Sequence, residues 1–191
     1  MLQNFTTFVA FKHMQSIVVN GKSFRKYLES SLIDETVAKI ANQVNTDYNG
    51  KKPLFIAVLN GSFMFASDLF KKLNIECEIS FVKLSSYAGT ASSGNVQQLI
   101  GITESIEGRD IIIVEDIVDT GLTLGKLRKE IQALNPGSLK LMTLLFKPAA
   151  FGDTYPLDYV GLEIPNDFIV GYGLDYDGFG RNLPDIYAIE S

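Results

Sequence analysis

Apolar positions fall into short dense runs separated by stretches of helical period. Leu54–Leu59 is apolar throughout, and Ile111–Val114 carries four β-branched residues in a row. Such runs predict strands buried on both faces, over Leu54–Leu59 and Asp110–Val114. Leu32, Ile33, Val37, Ile40, Ala41 and Val44 share one helical face, which predicts a helix over Leu32–Val44. A second helix is expected over Ser62–Leu73, with Ser62 near its start and Lys71 and Lys72 in its last turn. A third is expected over Leu122–Leu134, ended by Asn135-Pro136-Gly137. Cys77, Ile79 and Phe81 alternate in a strand over Glu76–Lys83. Shorter strands are expected over Gln97–Gly101, Leu139–Phe146, Tyr159–Glu163 and Ile186–Ile189. This alternation predicts an α/β fold around an open, mostly parallel sheet. Sheets of that kind bind ligands beyond the carboxyl ends of their strands.

Composition narrows the chemistry. A chain of 191 residues is expected to form one domain with a real core. Hydrophobic residues make up 46% and charged residues 20%, which excludes wholesale disorder. The net charge of -5 argues against a general binder of nucleic acid or anionic membrane. One cysteine, Cys77, excludes an internal disulfide and a multi-cysteine metal site, and is expected as a small buried strand residue. One histidine, His13, disfavours a His-based metal site or a Ser-His-Asp triad. No run approaches the ~20 apolar residues of a membrane span. The mildly apolar Leu2–Phe11 lacks a basic start and a small-residue cleavage site, so residues 1–13 read as a flexible extension of a domain over 14–191. Single-cysteine usage fits a reducing cytoplasm.

The segment Val114-Glu115-Asp116-Ile117-Val118-Asp119-Thr120-Gly121-Leu122-Thr123 carries the most chemistry. Its second half offers backbone N–H groups, two hydroxyls and a helix N-terminus, a set suited to a phosphate. Gly121 lets the backbone approach that phosphate closely. Glu115 and Asp116 do not favour a phosphate. They make sense beside a cationic centre, a ribose hydroxyl or hydrated Mg²⁺. Neither a Walker A loop nor a dinucleotide fingerprint is present. The Ser- and Gly-rich stretch within Leu84–Gly94 has no period and reads either as a connector or as a lid.

This segment resembles the signature that type I phosphoribosyltransferases use for phosphoribosyl pyrophosphate. The chain resembles the hypoxanthine/guanine branch over roughly Phe55 to Ile189. The resemblance implies a twisted, mainly parallel sheet flanked by helices, with a small hood from the N- and C-terminal segments over the strand ends. It implies Asp119 as general base, with Glu115, Asp116, Asp119, Thr120, Gly121 and Thr123 on the phosphoribosyl group. Val58-Leu59-Asn60-Gly61-Ser62 becomes the pyrophosphate loop, with a cis peptide at Asn60–Gly61. Asn60 stands where relatives often carry Lys or Arg, which removes a possible charge contact. Arg181 grips the pyrophosphate in this picture, and Ser86 and Tyr87 belong to a mobile loop closing over the reacting centre. Lys147 donates to a purine 6-oxo group, Phe168 stacks on the base, and the Ile169 backbone reads its edge. Asp175 meets the 2-position through its backbone and helps to hold a second Mg²⁺, with Glu115 and Asp116 as the other metal-side carboxylates.

The implied activity joins hypoxanthine, and guanine, to phosphoribosyl pyrophosphate with Mg²⁺, in a cytoplasmic homodimer or homotetramer. Xanthine is an alternative base, which Lys147 separates poorly. A regulator that binds RNA on the same fold is an alternative of another class. It would need a basic face, which the net charge disfavours.

Overall fold

The computed structural model describes residues 16–85, 97–152 and 155–190. A hairpin of β1 (Ser16–Val19) and β2 (Lys22–Leu28) leads into α1 (Ser30–Asp47). Then come β3 (Leu54–Leu59), α2 (Phe63–Phe70), β4 (Glu78–Ser85), β5 (Gln97–Ile100) and β6 (Asp110–Val118). The chain closes with α3 (Leu122–Gln132), β7 (Ser138–Phe146), β8 (Tyr159–Glu163), β9 (Ile169–Val170) and β10 (Ile186–Ile189).

Two sheets result. The main sheet has the order β5-β4-β3-β6-β7-β8, and every pair in it is parallel except β4 with β5. The smaller, antiparallel sheet has the order β1-β2-β10-β9 and joins the two chain ends as the expected hood. Its core is small: Val19, Phe24, Val170 and Tyr187.

The β3 pleat explains the layers. Phe55 and Ala57 face one side, where α1 and α2 add Ile33, Val37, Ile40, Phe65 and Leu69. Leu54, Ile56 and Val58 face the other, against Leu124, Leu127 and Ile131 of α3. Both faces of the strand are therefore covered, as its continuous apolar run requires.

From β3 the chain steps outward through α2 to β4. From β6 it steps the opposite way through α3 to β7. The order reverses between β3 and β6, so the loops after those two strands open into a common crevice.

Three local expectations need correction. β6 does not stop at Val114. Its ladder with β7 pairs Glu115 with Thr143 and Val118 with Phe146, so Glu115 and Asp116 lie within the strand and not in a turn after it. α2 ends at Phe70. Lys71 is its C-cap, and the two lysine ammonium groups reach Asp68 and Asp34 instead of the helix end. Cys77 precedes β4 and is half-buried, packed at the edge of the α1–α2 core.

Candidate active site

The crevice between the β3 and β6 loops is a cavity of about 240 Å³. Leu59, Gly61, Glu115, Asp116, Asp119 and Thr123 are among its lining residues. The structure thus brings together the pyrophosphate-loop and phosphoribosyl-loop residues picked out in the sequence. Asp116 lies so close to Gly61 that a Cβ there would overlap its carboxylate. Any larger residue there must displace that carboxylate.

The surroundings of the two acids at the end of β6 disfavour their ionised form. Glu115 is buried, and burial pushes its carboxyl well above the usual carboxylate range. The charges of Asp116 and Asp119 push in the same direction, while the Asp116 amide opposes them. Burial also pushes Asp116 up, to about 6. The amide of Ile117, which donates to Asp116 Oδ1 at 2.8 Å, and the charge of Arg181 partly counter this; Asp175 adds to it.

The next five residues differ in kind. Asp119, Thr120 and Thr123 are exposed. Asp119 Oδ1 accepts the Thr120 N–H at 2.5 Å and lies 3.4 Å from the Thr120 hydroxyl. Gly121 caps α3 with φ 80 and ψ -8, a left-handed conformation natural to glycine. Among the described residues no side chain caps α3, and its first-turn amides suit an anion. The Gly121 carbonyl accepts the Gly125 N–H at 2.8 Å and the Tyr155 hydroxyl at 2.6 Å.

Across the crevice, Asn60 is exposed and its carbonyl accepts the Phe63 N–H at 3.4 Å. The Ser62 hydroxyl turns back to the Val58 carbonyl at 2.6 Å. The cis peptide expected at Asn60–Gly61 lies one bond earlier, at Leu59–Asn60. It joins the last residue of β3, Leu59, which still pairs with Lys83 of β4, to the loop.

Of the remaining expected site residues, Phe168 immediately precedes β9, Ile169 opens it, and Asp175 and Arg181 lie between β9 and β10, on the hood side. Lys147 follows β7, half-buried, and its N–H donates to the Val118 carbonyl at 2.9 Å. Phe168 is 46% exposed, its ring backed by Phe24 at 6.4 Å and Tyr176 at 5.8 Å. An apolar ring left that open suits stacking on a flat ligand. Ile169 is buried in β9, paired with Ala188. Arg181 ion-pairs with Asp175 Oδ1 at 2.6 Å and donates to the Gly173 carbonyl at 2.6 Å. Asp175 Oδ2 accepts the Gly178 N–H at 2.7 Å. Ser86 and Tyr87 lie outside the described residues. Among the described residues, no three carboxylate, imidazole or thiol groups converge as a metal cage.

Sequence reading missed the supports of this site. Tyr172 donates to Asp68 at 2.7 Å, tying the hood to the helix that follows the Gly61 loop. Phe151 and Tyr155 press on Gly121 from beyond β7. Their sequence distance hides them, and no motif marks them.

Comparison with known proteins agrees with this geometry. Residues 25–177 match the family model described as phosphoribosyl transferase domain. The chain is 46% identical over 165 residues to a hypoxanthine-guanine phosphoribosyltransferase of Streptococcus pyogenes, covering 86% of this chain and 91% of that protein. It is 43% identical over 155 residues to the bifunctional protein TilS/HprT of Listeria monocytogenes, covering 81% of this chain. The match spans only 24% of that longer protein's length. A crystal structure of a hypoxanthine-guanine phosphoribosyltransferase from Bacillus anthracis superposes with a TM-score of 0.81 at 39% identity, covering 86% of this chain and 98% of that one. Fold, crevice and relatives agree: the chain belongs to the phosphoribosyltransferase family, on its hypoxanthine-guanine branch.

Proposed function

We propose that this protein transfers the phosphoribosyl group of phosphoribosyl pyrophosphate to hypoxanthine, and to guanine, in purine salvage. The observation that carries the reading is the switch-point crevice. There Asp116 abuts Gly61, the buried Glu115 lies beside it in the strand, and the N-terminus of α3 opens on the same crevice.

In the reaction the C1′–O bond to pyrophosphate breaks, and the bond from purine N9 to C1′ forms. C1′ gains positive charge between the two events. Glu115 and Asp116 hold the ribose hydroxyls and stabilise that charge. Fixed charges in a buried site act strongly and need no reorganisation. Asp119 takes the proton from purine N7, and its exposed place at the loop apex suits that role. The Thr120 and Thr123 hydroxyls and the first amides of α3 bind the 5′-phosphate. The Asn60–Gly61 loop and Arg181 meet the pyrophosphate.

Lys147 donates to the 6-oxo group of the base. A carbonyl accepts there, and the amino group of adenine does not. Phe168 stacks on the purine, and the Ile169 and Asp175 backbones read its edges.

The chemistry of the donor set fits Mg²⁺, a hard cation that takes carboxylate oxygens and keeps several of its waters. Glu115 and Asp116 supply hard oxygens whose unfavourable charge a divalent cation would relieve. Asp175 would hold the second ion. When bound, Mg²⁺ neutralises the leaving pyrophosphate. The same reading carries a single domain over 14–191, a cytoplasmic location and a homodimer or homotetramer. No helix among the described residues is long and apolar enough to cross a membrane.

A spectrophotometric assay with phosphoribosyl pyrophosphate, Mg²⁺ and each of hypoxanthine, guanine, xanthine and adenine tests the proposal. Turnover of hypoxanthine and guanine, with adenine inert, is expected. Turnover of adenine or xanthine alone, or of no base, would overturn it.

A further inference from the structure

Tyr155 stands 34 residues from Gly121, in the segment between β7 and β8, yet its hydroxyl donates to the Gly121 carbonyl at 2.6 Å. We propose that Tyr155 is a positioning residue for the 5′-phosphate: it fixes the Gly121–Leu122 peptide plane and thereby aims the Leu122 amide at the anion. This rests on the reading of Asp119–Thr123 as the phosphate loop.

Peptide geometry sets the direction of the Leu122 amide. The bond is planar and trans, so C=O and N–H on one peptide point in opposite directions. The Gly121 oxygen points into α3, where it accepts the Gly125 N–H at 2.8 Å. The Leu122 N–H on the same plane must then point out of the helix N-terminus. Glycine holds such a plane weakly, because many backbone conformations are open to it. The second donor on the same oxygen, from Tyr155, restricts it.

Phe151 adds a steric limit. A Cβ on Gly121 would lie 2.5 Å from the Phe151 ring and 2.8 Å from the Tyr155 hydroxyl. Phe151 is placed by the turn after β7, where the Ala150 and Phe151 amides donate to the Lys147 carbonyl at 3.1 and 3.2 Å. Edge-on ring contacts of 5.3 Å link Phe146 to Phe151 and Phe151 to Tyr155. The Arg128 guanidinium of α3 lies 5.7 Å over the Tyr155 ring. Tyr155 thus holds α3 at its N-cap and again farther along. The turn carrying Lys147, proposed to read the base, therefore also carries the brace of the phosphate loop.

Tyr155→Phe removes the hydroxyl and keeps the ring. IMP and inosine differ by the 5′-phosphate alone, so their inhibition constants against phosphoribosyl pyrophosphate isolate the phosphate contact. The variant is expected to bind IMP about three- to tenfold more weakly, the range of one lost hydrogen bond, with inosine unchanged. Thr123→Ala, which acts on the phosphate directly, is expected to give the same IMP-only loss. If Thr123→Ala discriminates and Tyr155→Phe weakens both ligands equally or neither, the role of Tyr155 is overturned. If Thr123→Ala does not discriminate, the phosphate-loop reading itself falls. Should Tyr155→Phe not fold, Phe151→Leu gives the second readout. A smaller IMP-only loss supports the brace, and equal loss of both ligands contradicts it.

Discussion

Glu115 and Asp116 contrast with the five residues that follow Val118. The two acids belong to a central strand that pairs with β3 as far as Val114 and with β7 through Glu115 to Val118, so the sheet holds their backbone. Asp119–Thr123 is a turn with exposed side chains and a left-handed glycine at its centre. One half is rigid and electrostatically unfavourable. The other is open to solvent and leads into a helix N-terminus. The difference teaches a division of labour. Rigid buried charge is suited to the transition state, where a cation appears briefly. Open amides are suited to a phosphate that is charged throughout the reaction.

Asp119 stands at the junction of the two halves, and its removal is expected to have the largest effect. Asp119→Asn should lower kcat about 10²- to 10⁴-fold, the span of general base catalysis, with little change in IMP affinity. Steady-state kinetics and IMP titration check this. Equal loss of both would remove the base assignment.

Gly61→Ala attacks the rigid half through its neighbour. The new Cβ must displace the Asp116 carboxylate. A shift of about 1 Å in a catalytic group costs about 10²-fold, and kcat/KM is expected to fall by that much. A variant as active as the parent would show that Asp116 need not be fixed.

Lys147→Ala should raise KM for hypoxanthine and guanine about tenfold or more, the value of a hydrogen bond from a charged donor, and leave KM for phosphoribosyl pyrophosphate nearly constant. Unchanged kinetics would show that another group reads the base.

The smallest effect is on stability. The Asp116 carboxyl sits near 6 in the folded, metal-free protein against an ordinary value near 3.8. The folded state therefore keeps a proton between those values that the unfolded chain has released. Stability from this group is highest below about 4 and falls as pH rises through about 6. It stays low above that. Asp116→Asn removes the charge, so the metal-free protein should gain about 1–3 kcal/mol at pH 8 and little at pH 4. Thermal melts at the two pH values check the sign. Equal shifts at both would contradict it.

The main sheet was legible because buried parallel strands leave an unmistakable trace. Leu54–Val58 and Ile111–Val114 read as strand for the same reason that they are buried. The end of β6 was not legible, since two carboxylates in sequence resemble a turn. Only the ladder to Thr143 and Phe146 shows that the strand continues. The hood hairpin was missed because one face of it is solvated and its segment is mostly charged and polar. Phe24 is the single fully buried side chain of β2. A signal was present in Asn20-Gly21, whose φ values of 44 and 77 make the tight hairpin turn that this pair favours. The acids, Asp119, Gly121 and Lys147 could be picked out because each sits at a strand end or a helix start. Tyr155, Phe151, Asp68 and Tyr172 could not, because they act through contacts that fold distant segments together.

The division of labour is tested most directly by kcat and KM for phosphoribosyl pyrophosphate in Asp116→Asn and Thr123→Ala, measured side by side. The account predicts that Asp116→Asn lowers kcat with KM within about threefold of the parent, while Thr123→Ala raises KM and leaves kcat nearly intact. If both variants moved the same parameter by similar factors, the two halves of this segment would not have separate roles.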